Sequence, residues 1–417
     1  MYNAPPTPPR GRISLIALAA AAALVPQGAW ALNLVQAPPG SQQPYVAPNV
    51  IISVDDSGSM GWRLNSSSNG TSSITAPKPD GTWDPAAPRI NILKHALTQV
   101  FNDTTLLPDK KIRLAWQAMW NNGNSPGVGE QKSGNSSSHA GATSVNSTAS
   151  GANSMKVLQS AHRTEFLKFV NKLKASGNTP SHWMFEQADG YMRQPLGVNS
   201  PWASIPGDTA EPYLACRRNY HIMMTDGRWN SSASGGSQDR NTVNKTLPDG
   251  TVYGSTSAAT RPNNELYSDS VSDTLADWAF RSWADPLQTT GLTGAMSATA
   301  AYLKAPATEN FGNDLTGKPA ILARFWNPRY NPATWAHMVT YTIGFSSDAI
   351  TWPGAPTIDA PTGKVPFGYD GSFPDLVTGN KTWPTMGSED RRALDLWHAA
   401  LNGRGNFYAV NAAADLE

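Results

Sequence analysis

The chain of 417 residues carries 32 Lys and Arg against 31 Asp and Glu, and its formal net charge is +1. This balance excludes the strongly basic surface that would indicate a nucleic-acid partner, and it also excludes a long acidic tail. Glycine and proline are abundant, with 35 and 33 residues, and 15 tryptophans accompany them. We therefore expect a globular protein with many loops packed by aromatic side chains, rather than a disordered chain.

Residues 1–31 have the pattern of a secretory signal peptide. Arg10 and Arg12 precede an apolar run at residues 13–25, and residues 29–31 have the small-residue form of a cleavage site. The apolar run is too short to span a bilayer comfortably and ends at a proline, so a membrane anchor is the weaker alternative. We expect an exported protein with no membrane span after the leader is cleaved.

Residues 32–48 form a Pro/Gln-rich linker. After it, segments whose apolar residues recur at strand spacing alternate with segments whose apolar residues recur at helical spacing. Short β-branched or alternating runs predict strands at residues 49–54, 112–120, 220–225, 337–345 and 407–410. Helical spacing predicts helices at residues 90–101, 166–173, 181–192, 274–283, 292–303 and 394–401. Strands that alternate with helices indicate an α/β fold with a parallel sheet covered on both faces.

Gly-, Ser-, Asn- and Pro-rich stretches interrupt this alternation. We interpret residues 49–417 as one α/β domain with long loop insertions, at about residues 61–88, 121–155, 231–265 and 346–385. Five tryptophans are expected to pack in the core rather than to form a carbohydrate platform, because aromatic side chains bury large areas. They are Trp229, Trp278, Trp283, Trp326 and Trp335.

The single cysteine, Cys216, excludes a zinc-binding cysteine set and a C-x-x-C motif. Three alternatives remain open for it: a buried thiol, a partner on another chain, or a partner in a missing segment.

The most informative residues lie where predicted strands end. Asp55, Ser57 and Ser59 form an Asp-x-Ser-x-Ser sequence directly after the first strand, and Asp226 follows another buried strand. Thr179 lies in a Gly-Asn-Thr-Pro turn between two helices. Because ligands of open parallel sheets gather at the carboxyl ends of strands, we expect these residues to meet at one edge. Their oxygen atoms suit a hard divalent cation such as Mg²⁺, Mn²⁺ or Ca²⁺.

This set of residues resembles the metal-ion-dependent adhesion site of von Willebrand factor A domains. The resemblance implies that Ser57, Ser59 and Thr179 bind the metal directly, while Asp55 and Asp226 act largely through bound waters. It also implies a Rossmann-like central sheet, mainly parallel and flanked by helices. A divalent ion held by hydroxyls and water stays electrophilic, so it would seek an acidic group on a partner. A simple turn-capping role for Asp55 and Ser57 would explain one of the three segments only.

A narrower resemblance covers most of the predicted domain. Residues 216–220, 224–230, 331–340 and 396–405 are similar to the amino-terminal region of type IV pilus tip proteins of the PilY/PilC type. The resemblance implies surface attachment and pilus biogenesis, together with minor pilins or the pilus tip complex and an acidic group on a host or abiotic surface. It implies passage through the periplasm to the cell surface and the pilus tip.

Members of this family typically continue into a carboxyl-terminal β-propeller with its own calcium site. The chain ends at Glu417, before any propeller. We therefore expect a truncated product, a fragment or an isolated domain.

Enzymatic functions fit the sequence less well. Asp56-Ser57-Gly58 matches the aspartic-protease signature, but such a site needs a second carboxylate nearby, and the other loose match begins at Asp208. As the variable residue of Asp-x-Ser-x-Ser, Asp56 is expected to face solvent. A secreted hydrolase using the same metal to activate water lacks a general base apart from the metal-site carboxylates. A third alternative is an A domain with a purely structural docking role in pilus assembly.

Overall fold

A computed structural model of the protein describes residues 45–119, 153–230, 245–254, 266–352, 357–361, 370–386 and 389–410. The predicted signal peptide, most of the linker and most of the 121–155 insertion lie outside these described residues. The strands are β1 (Asn49–Val54), β2 (Arg113–Ala118), β3 (Lys156–Val157), β4 (Asn219–Thr225), β5 (Lys245–Thr246), β6 (Val252–Tyr253), β7 (Thr308–Asn313), β8 (Pro319–Ala323), β9 (Met338–Phe345) and β10 (Phe407–Val410). The α-helices are α1 (Arg89–Asn102), α2 (Ser160–Lys172), α3 (Ser181–Met192), α4 (Leu275–Ala284), α5 (Ala300–Lys304), α6 (Asp348–Thr351), α7 (Phe373–Thr378) and α8 (Asp395–Asn402).

The described residues contain a central sheet with the strand order β10-β9-β4-β1-β2-β3. All neighbouring strands run parallel except the edge strand β3, which is antiparallel to β2. In the register of the central strands, Asn49 lies beside Arg113 on one side and beside Asn219 on the other. The predicted α/β fold with a mainly parallel central sheet is confirmed.

The central strands are buried along their whole length, as expected for a parallel sheet covered on both faces. Their polar side chains bond to one another across the sheet. Gln117 Nε2 donates to Ser53 Oγ at 2.6 Å, and Ser53 Oγ lies 2.7 Å from His221 Nε2. Burial lowers the pKa of His221 to about 3, so this histidine is neutral at physiological pH.

Helices cover both faces of the sheet. On one face, the Trp116 ring lies 5.3 Å from Phe166 and 4.8 Å from His162, both on α2. On the other face, Ile51 and Ala115 belong to a large core that includes apolar residues of α3, α4 and α8. The five tryptophans expected in the core are all buried. No helix among the described residues is long and apolar enough to cross a bilayer.

One predicted helix and one of the alternatives left open for Cys216 are wrong. The helix predicted at residues 292–303 is wrong for most of its length, since only Ala300–Lys304 is helical. Gly294 adopts a positive φ of 82°, and the Thr299 side chain caps a later helix start by accepting from Tyr302 N–H. Cys216 is exposed, so the alternative of a buried thiol is also wrong. The two-stranded pairs β5–β6 and β7–β8 were not predicted.

Candidate metal site

Asp55 and Asp226 directly follow β1 and β4, which are neighbours in the sheet. The strand ends are joined by a hydrogen bond from Asp55 N–H to Met224 O at 2.8 Å. The chain leaves β1 towards β2 on one side and returns later to β4 on the other. This reversal of strand order creates the switch point at which open α/β sheets bind ligands.

The Asp55 carboxylate is held from two sides, by the loop after β1 and by the last residue of β4. Its Oδ1 atom accepts from Ser57 N–H at 2.7 Å, and its Oδ2 atom accepts from the Thr225 hydroxyl at 2.6 Å. The hydroxyl oxygens of Ser57 and Ser59 lie 3.2 Å apart. The carboxylate is therefore fixed, and the two serine hydroxyls are neighbours.

The turn between α2 and α3 packs directly against this loop. Gly58 N–H donates to Gly177 O, and Ser176 N–H donates to Asp56 O, both at 2.9 Å. A Cβ atom on Gly58 would lie 3.2 Å from Gly177 O, which is tighter than an ordinary contact. A side chain at position 58 would therefore require a small shift of the Gly177 carbonyl, and the close approach brings the serine loop to the turn that carries Thr179.

The segment after β4 completes the site. Asn230 Oδ1 accepts from Thr179 N–H at 2.8 Å, and Asn230 N–H donates to Thr179 O at 3.2 Å. The Thr225–Asp55 hydrogen bond connects the same segment to the loop after β1. Each of the three segments is thus hydrogen-bonded to the other two, and the segments of all five predicted residues meet at one edge of the sheet.

Arg89, which the sequence analysis missed, also takes part in this site. Its Nη1 atom lies 2.9 Å from Asp226 Oδ2, and its other nitrogens donate to the carbonyls of Arg63 and Ser66. Arg89 is the first residue of α1, where the helix dipole disfavours a cation. The sequence did contain one signal for Arg89. A basic residue directly after Pro88, at the start of a helix, lies where the helix dipole is unfavourable, and a carboxylate partner offsets that cost.

The charges of the site are unbalanced. Burial and the nearby Asp226 raise the pKa of Asp55 to about 7, against hydrogen bonds from Ser57 and Thr225 that lower it. Asp226 Oδ1 is buried and has no hydrogen-bond partner in the part of the chain that the structure describes. With both carboxylates ionised, one guanidinium compensates only one of them. A buried oxygen without a partner and a donor set made only of oxygens fit a hard divalent cation.

The site contains few of the side chains that usually bind metals tightly. Among the described residues, no group of three or more His, Cys, Asp or Glu is arranged to hold a metal ion. The predicted site has two carboxylates, so any metal bound there depends on its three hydroxyls.

Asp56 differs from its prediction. It is fully buried rather than solvent-facing. Its backbone carbonyl accepts a hydrogen bond from Ser176 N–H, so the turn between α2 and α3 packs against this residue. Asp208, the other loose match to the protease signature, is exposed in a turn and bonds to its neighbour Thr209. A mainly parallel α/β sheet and an exposed Asp208 argue against the protease interpretation.

Fold and site together define a mixed α/β protein with an oxygen-rich polar cluster at the carboxyl edge of a mainly parallel sheet. The chain is 35% identical to the type IV pilus biogenesis factor PilY1 of Pseudomonas aeruginosa strain PAO1 over 271 residues. It is 34% identical to PilY1 of strain PAK over 261 residues and 31% identical to PilY1 of strain UCBPP-PA14 over 290 residues. These matches cover 64%, 61% and 65% of this chain, but only 20%, 19% and 21% of the relatives. The chain thus spans about a fifth of their length.

Other comparisons add little. No protein-family model matches the sequence. Two crystal structures of the pilus adhesin SpaC from Lactobacillus rhamnosus GG match with 15% and 13% identity, over 53% and 90% of this chain and 19% and 30% of that chain. Their TM-scores are 0.24 and 0.29, which are too low to inform either fold or function.

Proposed function

We propose that this chain is a metal-dependent interaction module of a type IV pilus-associated protein, built on a von Willebrand factor A-like fold. One observation carries the proposal: three distant segments are hydrogen-bonded to one another at the sheet edge, and they leave a buried Asp226 oxygen without a partner among the described side chains and backbone groups. The similarity to proteins named type IV pilus biogenesis factors supports the association with pili.

In this proposal, the hydroxyls of Ser57, Ser59 and Thr179 hold a divalent cation, Mg²⁺, Mn²⁺ or Ca²⁺. Asp55 and Asp226 balance its charge, largely through water. When bound, the cation supplies an electrophilic centre for an anionic oxygen of a partner.

The protein's own residues prepare the site for this role. The Thr225 hydroxyl and the Ser57 N–H group keep Asp55 in one orientation. Arg89 contacts one oxygen of Asp226 and leaves the other available. A cation held by hydroxyls and water stays electrophilic, and this favours an acidic group on the partner.

The partners that fit the proposal are minor pilins or the pilus tip complex, and an acidic group on a host or abiotic surface. The predicted signal peptide would export the protein into the periplasm, from which it would reach the cell surface as part of the pilus tip. The acidic group is the chemical feature that the site recognises, so the module acts by binding rather than by catalysis.

Calorimetric titration of the purified chain with MgCl₂, MnCl₂ and CaCl₂ tests the metal site. We expect one binding site for at least one of these ions, lost when Ser57 and Ser59 are both changed to alanine. Ser68→Ala is the matched control, because Ser68 lies in the next loop and its side chain is exposed.

Capture of purified minor pilins with and without a chelator tests the interaction. We expect the chelator to release the partner from the wild-type chain and from Ser68→Ala. A wild-type chain that binds none of the three ions would overturn the proposal. Capture that is unaffected by the chelator would instead favour a purely structural docking role.

A further inference from the structure

Arg113 is a buried charge without a partner, far from the metal site. It is the first residue of β2 and is 1% exposed. Its Nε, Nη1 and Nη2 atoms have no hydrogen-bond partner among the described residues. A guanidinium without a counter-charge or acceptors is very costly in a protein interior. The structure therefore indicates a missing partner for Arg113.

A second arginine lies close to the first. Arg217 is 6% exposed and lies two residues before Asn219, the first residue of β4. One of its nitrogens donates to Ala47 O at 2.5 Å, while its buried Nε atom has no partner within the described ranges of the chain. Arg113 begins β2, and Arg217 lies just before β4. These two strands flank β1, so both arginines lie at the amino-terminal edge of the sheet.

The electrostatics of this pair agree with its geometry. Burial, followed by repulsion from Arg217, lowers the pKa of Arg113 to about 9. Burial lowers the pKa of Arg217 to about 10. The groups that oppose these decreases are Tyr191 for Arg113 and Cys216 for Arg217, and neither is a carboxylate. Both arginines stay charged at physiological pH, and no acidic side chain of the described residues raises either pKa.

We propose that Arg113 and Arg217 form a buried binding pocket for a small monoanion, either a halide or a carboxylate group. A guanidinium presents its N–H groups in a planar fork that matches the two oxygens of a carboxylate, and a halide can accept from the same N–H groups. The ligand must be small, because an arginine that is 1% exposed leaves no opening for a bulky one. The pocket lies at the amino-terminal strand ends and the proposed metal site at the carboxyl ends, so the two sites are separate.

A titration at constant ionic strength tests this pocket. The protein is kept in sodium gluconate, whose anion is bulky, with a chelator present so that metal binding plays no part. Sodium chloride and sodium formate then replace the gluconate in separate series, and the melting temperature is measured. We expect a saturable increase of a few degrees with at least one anion. The ³⁵Cl NMR line width should broaden with the wild-type protein if chloride is the ligand.

Two variants locate the effect. Arg113→Met removes the charge while keeping a long apolar side chain, and it should abolish both the melting shift and the line broadening. Arg218→Met is the matched control, because Arg218 neighbours Arg217 in sequence but its guanidinium is exposed and donates to Ser297 O. It should respond to the anions as the wild-type protein does.

If Arg113→Met does not fold, the wild-type protein and Arg217→Met still test the pocket. The wild-type titration stands on its own, and Arg217→Met should weaken the apparent anion affinity at least tenfold. A wild-type melting temperature that is the same in gluconate, chloride and formate would overturn the proposal. An anion response retained in both Arg113→Met and Arg217→Met would also overturn it.

Discussion

The ion pair between Arg89 and Asp226 is the most tightly enclosed charge pair near the proposed metal site. Its two side chains are 5% and 1% exposed, and the charged atoms are 2.9 Å apart. A buried pair of this kind is costly to break, because the remaining charge keeps its desolvation penalty. Arg89 therefore acts as an internal cation that stabilises the metal-free protein and competes with a metal for Asp226.

Replacing Arg89 should expose this competition. We expect Arg89→Gln to destabilise the metal-free protein by about 3 kcal/mol, because it leaves Asp226 unpaired. Excess Mg²⁺ or Mn²⁺ should then raise the melting temperature more in the variant than in the wild type. Arg63→Gln is the control, since Arg63 contacts Arg89 through its backbone carbonyl and has an exposed side chain. An equal metal response in the wild type and Arg89→Gln would contradict the competition.

The backbone and the hydroxyl of Thr179 can be tested separately. Its N–H and C=O groups bond to Asn230, so they hold the turn whatever side chain is present. We expect Thr179→Ala to reduce metal affinity at least tenfold while the metal-free stability stays within about 1 kcal/mol of the wild type. Calorimetric titration and chemical denaturation measure the two quantities. A large loss of stability with normal metal affinity would show that the hydroxyl is structural.

The residues missed in the sequence are those whose roles depend on distant partners. Arg89 lies 137 positions from Asp226, and Thr225 lies 170 positions from Asp55. The five predicted site residues were accessible because each stands in a short local pattern, after a strand or in a turn. The prediction for Asp56 was wrong because its burial also depends on a distant segment. The contact of its backbone with the 176–179 turn has no local pattern in the sequence.

At the scale of elements, the loop after β1 packs tightly against the turn between α2 and α3, and a Cβ atom at Gly58 would lie 3.2 Å from Gly177 O. Gly58→Val should push the loop away from Gly177 O and weaken metal binding several-fold. The fold should persist, because Gly58 lies in a half-buried loop. Gly190→Ala is the control, since Gly190 is in α3 and a Cβ there meets no atom within 4 Å. Unchanged metal affinity in Gly58→Val would show that the close approach is not needed.

Elements with a strong apolar period were predictable, and irregular ones were not. The strand Asn49–Val54 and the helix Ser181–Met192 have the predicted boundaries. The helix expected at residues 292–303 failed because Gly294 and the Thr299 cap override the apolar spacing. β5 and β6 have two residues each, which is too short for any periodicity to appear in the sequence.

At the scale of the whole molecule, buried neutral histidines make the fold sensitive to acid. Burial lowers the pKa of four of them, to about 4 for His162 and His337 and about 3 for His221 and His398. A folded-state pKa below the unfolded value of about 6.5 contributes stability that is present above pH 6.5. That stability is lost as the pH falls towards 4.

His162 offers the clearest test of this acid sensitivity. Its Nε2 atom lies 2.8 Å from Leu114 O, a contact that a glutamine amide can replace, and Lys156 and Glu165 are the charged groups near it. We expect His162→Gln to make the decrease in unfolding free energy between pH 6.5 and 4 shallower by about 1.4 kcal/mol per pH unit. Denaturant titrations at several pH values measure this slope. An unchanged slope would mean that His162 does not take up a proton on unfolding.

The position of β1 in the sheet has a mechanical consequence. β1 lies between the parallel strands β2 and β4, whereas β10 lies at an edge. Tension applied to the chain before residue 49 would pull β1 lengthwise, so its hydrogen bonds to both neighbours would be loaded together in shear. Tension applied after residue 410 would instead act on β10, which is hydrogen-bonded to β9 alone, so a single ladder would carry the load. The entry of the chain at the centre of the sheet therefore makes the amino-terminal attachment the stronger one under load.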